Sequence, residues 1–124
     1  MHSTVRQRLG KILAEIIIEL QAGIKAFEKI GFNPTKKNAI INFIKLNQKK
    51  LAEGYQVIAP GISNEPELKD TFVRVIKNLD SEVNQYKRKT MTKYDFQESL
   101  SVLKKSQIEL NNIGSRYIGQ NWLR

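Results

Sequence analysis

The residues in this chain whose types could do chemistry are mostly cations. Twenty-one Lys and Arg stand against 12 Asp and Glu over 124 residues, a formal charge of +9. A surplus of this size favours polyanions or acidic protein surfaces as partners. The cations come in short groups: Arg6, Arg8 and Lys11; Lys36 and Lys37; Lys49 and Lys50; Lys87, Arg88 and Lys89; Lys104 and Lys105. Catalytic side chains are scarce by comparison. There is no Cys, which excludes a thiol nucleophile, a Cys-based zinc site and a disulfide framework, and the single His is His2, at the start of the chain. The clearest carboxylate pair is Glu15 and Glu19, spaced i, i+4 with Lys11 one turn earlier, a pattern that suits a solvated helical edge better than an acid–base pair. No P-loop, dinucleotide-binding glycine pattern, HExxH or nucleophile elbow is present. An enzyme is the weakest class, and no catalytic residue, metal or cofactor is expected.

Four amphipathic segments must position these charges. The first runs from about Thr4 to Ile30, with a stripe of Val5, Leu9, Ile12, Leu13, Ile16, Ile17, Leu20, Ile24, Phe27 and Ile30 at steps of three and four. Ser3 or Thr4 suits its N-cap and Gly31 its left-handed end, while Gly10 and Gly23 mark close packing or a bend. After the turn Asn33-Pro34-Thr35, Thr35 is placed to cap a second helix from Lys36 to about Val57. Its core face is Ile40, Ile44, Leu51, Tyr55 and Ile58, broadened by Ile41 and Phe43 and interrupted by Asn47 and Gln48. Pro60, Gly61, Ser63 and Asn64 form a loop, and Pro66 fits the first turn of a third helix, about Glu65 to Lys87. This helix carries Leu68, Phe72, Val75, Ile76, Leu79, Val83 and Tyr86 on one face, and Glu65, Glu67 and Asp70 near its positive N-terminus. Thr92 and Asp95 make a capping box for a fourth helix bearing Phe96, Leu100, Leu103, Leu110 and Ile113. Gly114 ends or bends it, leaving residues 115–124 as a docked or partner-binding tail.

Consecutive amphipathic helices with short connections pack as neighbours, so the expected fold is all-α: one domain over residues 1–124, an antiparallel up-and-down four-helix bundle. That topology brings the first and third connections to one end. There Lys25, Lys29, Lys36, Lys37, Lys87, Arg88, Lys89 and Lys93 outnumber Glu28, Glu82 and Asp95, giving a local charge of +5. Two readings are open. The cations are either solvated helix ends, favourable at C-termini in the case of Lys29 and Lys87 to Lys89, or a surface that gains affinity by displacing counterions from phosphates. For the second, the candidate nucleic-acid-binding residues are Lys29, Lys36, Lys37, Lys87, Arg88, Lys89 and Lys93. Arg88 and Arg116 could grip phosphate at two points. Tyr86 and Tyr94 could stack on unpaired bases, although Tyr86 falls on the apolar stripe and is better suited to the core. In the tail, Arg116, Tyr117 and Trp122 are candidate partner-binding residues. Ile12 to Leu20 is too short and too charged to span a bilayer, and no leader is recognisable, so a cytoplasmic, membrane-free location is expected.

Three stretches support a family resemblance: KIGFNPTKK from Lys29, MTKYDF from Met91, and NIGSRYIGQNWLR from Asn112. With the length and helix order they resemble the accessory variability determinants of diversity-generating retroelements, small basic four-helix-bundle proteins. The resemblance implies a non-enzymatic homo-oligomer, a pentamer, that partners a reverse transcriptase and engages RNA or DNA. A helical adaptor or immunity-type protein that binds an acidic protein partner is the alternative, with charge guiding encounter and the Tyr117 to Trp122 tail as anchor.

Overall fold

The computed structural model describes residues 3–87, 90–119 and 122. The described residues form four α-helices: α1 (Ser3–Ile30), α2 (Lys37–Ile58), α3 (Pro66–Tyr86) and α4 (Lys93–Tyr117). The described residues contain no strand.

Helix ends follow local chemistry. Gly31, at φ 76°, ends α1 in the left-handed conformation, and its N–H donates to the Phe27 carbonyl at 2.9 Å. The α1–α2 connection differs from expectation. Asn33 Oδ1 accepts from the Thr35 backbone N–H at 3.0 Å and from the Thr35 hydroxyl at 2.8 Å. A short 3-10 turn, Pro34–Lys36, follows, and α2 starts at Lys37 without a side-chain cap. Asn before Pro is a strong turn former, so Thr35 is drawn into the Asn33 turn rather than capping α2. At α4 the capping box is complete: Thr92 Oγ1 accepts from the Asp95 N–H at 3.1 Å, and Asp95 Oδ2 accepts from the Thr92 N–H at 3.0 Å. Gly114 does not end α4, which continues to Tyr117.

Each helix packs against its two sequence neighbours around a ring, with α4 closing onto α1. The contacts run in opposite directions along every pair. Between α1 and α2, Phe43 lies on Gly23 and Ile12 on Gly54. Between α2 and α3, Gln48 reaches Asp80 and Tyr55 packs on Phe72. Arg74 pairs with Glu109 and Ser99 with Glu82 across α3 and α4. Lys104 pairs with Glu28, and Arg6 donates to the Ile118 carbonyl, across α4 and α1. The fold is therefore an up-and-down antiparallel four-helix bundle.

The stripes meet in one core. Leu9, Leu13, Ile16, Ile17, Leu20 and Ile24 of α1 face Ile40, Ile44, Leu51 and Ile58 of α2, Leu68, Phe72, Val75, Leu79 and Val83 of α3, and Leu100, Leu103, Leu110 and Ile113 of α4. Removing this much apolar surface from water is what holds helices of these lengths together. Two sequence expectations change. Ile30, the last residue of the α1 stripe, is 56% exposed, because it lies at the end of α1. Asn47, read as an interruption, is fully buried on the core face of α2.

Candidate nucleic-acid interface

The α1–α2 and α3–α4 connections share one end of the bundle, where the Phe32 and Phe96 rings pack at 6.0 Å between centroids. This end gathers six of the eight expected cations: Lys25 and Lys29 from α1, Lys36 and Lys37 at the start of α2, Lys87 just past α3, and Lys93 opening α4. Arg88 and Lys89 lie outside the described residues. Lys25, Lys29, Lys36, Lys87 and Lys93 are exposed and form no ion pair among the described residues.

The carboxylates set against them are turned elsewhere. Glu82 is 6% exposed and accepts from the Ser99 hydroxyl at 3.0 Å. Asp95, equally buried, is held in the capping box. Glu28 pairs with Lys104, at 3.0 Å. Two of the three offsetting charges are thus buried, and Lys25, Lys29, Lys36, Lys87 and Lys93 face water with no ion pair among the described residues. The sequence stripe of α3 contains the signal for Glu82, since it lies three residues after Leu79 and four before Tyr86 and shares their face.

The two tyrosines proposed for stacking separate. Tyr86 is fully buried, its hydroxyl donates to the Asp95 carbonyl at 3.3 Å, and burial pushes that hydroxyl well above the ordinary tyrosine range. Its ring is part of the core. Tyr94, in the first turn of α4, is 71% exposed.

Arg116, Tyr117 and Trp122 lie at the opposite end. Arg116 Nη2 pairs with Glu67 Oε2 at 2.7 Å, and the Tyr117 hydroxyl donates to the same oxygen at 3.2 Å. Burial and that carboxylate raise the Tyr117 hydroxyl above its usual range. The Trp122 indole lies on Gly114, where a Cβ would overlap the ring. All three side chains make contacts within their own bundle. Arg116 is remote from the lysine end, and a phosphate there would compete with Glu67.

The carboxylate pair of α1 is structural in its contacts. Glu19 Oε2 accepts from Lys50 Nζ at 2.6 Å, and Glu15 lines a groove between α1 and α2 with Arg8, Lys11 and Glu53. Among the described residues no group of three His, Cys, Asp or Glu could hold a metal ion, and no helix is long and apolar enough to cross a membrane.

Comparison with family models, with curated proteins and with solved structures returned no match.

Proposed function

We propose that this chain is a non-enzymatic basic accessory protein that binds nucleic acid through the lysine-rich end of the bundle. The observation that supports this most directly is the placement of Lys25, Lys29, Lys36, Lys87 and Lys93 at one end, exposed and without ion-pair partners among the described residues, while Glu82 and Asp95 are buried. A concentrated cationic surface gains affinity for phosphates through counterion release and needs no base-specific contact. The KIGFNPTKK and MTKYDF stretches, which supply most of that end, are also among those that resemble the accessory proteins of diversity-generating retroelements. That resemblance supports a reverse transcriptase as protein partner and a homo-oligomer, a pentamer, as the working state.

Fluorescence anisotropy with labelled mixed-sequence RNA and DNA, titrated at several salt concentrations, tests the reading. Affinity falls steeply with salt if phosphates are contacted. Replacing Lys29, Lys36 and Lys93 together with Ala weakens binding and flattens the slope of log K against log salt by about two to three. Lys49→Ala, on the flank of α2, is the control and leaves both nearly unchanged. No binding at about 50 mM salt, where phosphate contacts are strong, overturns the proposal. Light scattering reports the oligomeric state, and a monomeric mass removes the pentamer.

A further inference from the structure

The chemistry of the lysine end points to a narrower class of ligand. We infer that it takes unpaired nucleotides, without sequence preference, and that Tyr94 is the platform on which a base stacks. This rests on the nucleic-acid reading above and specifies what kind of nucleic acid satisfies it.

Three observations converge. First, all the described cations at this end are lysines, while Arg6, Arg8, Arg74 and Arg116 lie elsewhere on the bundle. A lysine ammonium is a point charge suited to a phosphate, and it lacks the planar fork with which arginine grips two acceptors of a guanine edge. Among the described residues, the charge at this end comes as lysine point charges; Arg88, between Lys87 and Lys89 in sequence, lies outside them.

Second, the surface is the end of a bundle rather than the flank of a helix. A duplex major groove is about 12 Å wide and admits one helix lying along it. Four helices packed at about 10 Å between axes present an end roughly 20 Å across, made of two turns and four helix termini. This shape meets a strand's backbone and does not enter a groove.

Third, an aromatic ring stands among the lysines where folding does not require one. Tyr94 is 71% exposed and sits directly after Lys93. Its neighbours Phe96 and Tyr86 are buried in the core, so the apolar demand of this region is met without it. The ring's base is fixed: the Thr92–Asp95 capping box holds the first turn of α4, and Phe32 packs against Phe96 one turn-edge away. A ring on fixed backbone has only two side-chain torsions to lose on binding a base, and stacking is tolerant of sequence because every base has a π face. In a duplex those faces are already occupied by neighbouring bases. Ile30, 56% exposed at the end of α1, adds apolar surface at the same end.

The test uses the full chain with fluorescein-labelled 20-nucleotide RNA, DNA of the same sequence, and the corresponding duplexes. The wild-type protein binds either single strand more tightly than its duplex at equal salt. Tyr94→Ala weakens single-strand binding by roughly tenfold, leaves duplex binding and the salt slope unchanged, and Tyr94→Phe restores wild-type affinity because the ring, not the hydroxyl, makes the contact. Circular dichroism melts confirm that these variants stay folded. Equal affinity for single strand and duplex, or a Tyr94→Ala variant that binds single strands as wild type, overturns this inference while the lysine dependence of binding stands. Failure of every oligonucleotide to bind at low salt overturns it together with the reading beneath it. A single-strand preference shown by RNA alone or DNA alone supports the inference and identifies the strand.

Discussion

The Ser99 hydroxyl donates to Glu82 Oε1 at 3.0 Å across the α3–α4 interface, with Ser99 fully buried and Glu82 only 6% exposed. A carboxylate at such a position depends on its donors, because water cannot replace a lost one. Ser99→Ala therefore costs about 1–3 kcal/mol of unfolding free energy, measured by urea denaturation. Glu82→Gln keeps an oxygen acceptor for Ser99 and costs less than Glu82→Ala, which leaves both a cavity and an unpaired hydroxyl. Equal stability of the Gln and Ala variants would show that the hydrogen bond contributes nothing to this junction.

Two helix-interior glycines of α1 respond to the same substitution with opposite sign. A Cβ on Gly10 would meet Ile118 at 3.6 Å, an ordinary contact, so Gly10→Ala gains helix propensity and stabilises by up to about 1 kcal/mol. A Cβ on Gly23 would overlap the Phe43 ring, which also packs edge-on against Phe27 at 5.7 Å. Gly23→Ala forces that ring out of place and destabilises by about 1–3 kcal/mol, less the propensity it gains. Thermal melts of the two variants, falling on either side of wild type, check the pair.

Much of the architecture is legible in the sequence, because the apolar spacing of Leu9 to Ile24 and of Leu68 to Tyr86 can be satisfied only by helices with one buried face. The capping box at Thr92 and the left-handed Gly31 are local, and local chemistry decided them. Side chains whose role depends on a neighbouring helix were harder to read. Asn47 is polar, so it reads as a break in the α2 stripe, yet the geometry of α2 carries it into the core three residues after Ile44. Ile30 reads as core because it continues the stripe, and is exposed because it lies where α1 ends. At the basic end, summed charge and topology brought the lysines together from sequence. The α3 stripe already marked Tyr86 for the core and carries Glu82 on the same face, whereas the burial of Asp95 and of Ser99 opposite Glu82 depended on how the helices pack.

Asn47 carries a cost that substitution can remove. Its Nδ2 donates to the Phe43 carbonyl at 2.9 Å, while Oδ1 is buried without a hydrogen-bond partner among the described residues. An unsatisfied buried oxygen costs about 1–3 kcal/mol. Asn47→Leu, which keeps the branching at Cγ but is bulkier, replaces it with an apolar group and raises the midpoint of thermal unfolding by about 4 °C for each kcal/mol recovered beyond the cost of repacking around the larger side chain. A lowered midpoint would mean that Oδ1 is satisfied in solution, for instance by a buried water, or that the core around Asn47 does not admit the bulkier side chain; Asn47→Val, smaller than Leu, separates the two by recovering stability only in the second case.

The indole of Trp122 lies on Gly114, and it belongs to the chain's single tryptophan, so fluorescence reports this contact alone. Gly114 is buried on the face of α4 that meets the ring. Gly114→Val places two methyl groups where the indole sits, and a β-branched residue in a helix cannot rotate freely to make room. Trp122 is displaced into water, its emission moves to longer wavelength, and iodide quenches it more strongly than in wild type. The α-helical circular dichroism stays nearly unchanged, because the bundle's core lies on other residues and the displaced ring is only half-buried to begin with. An unshifted emission spectrum would place the ring somewhere other than on Gly114.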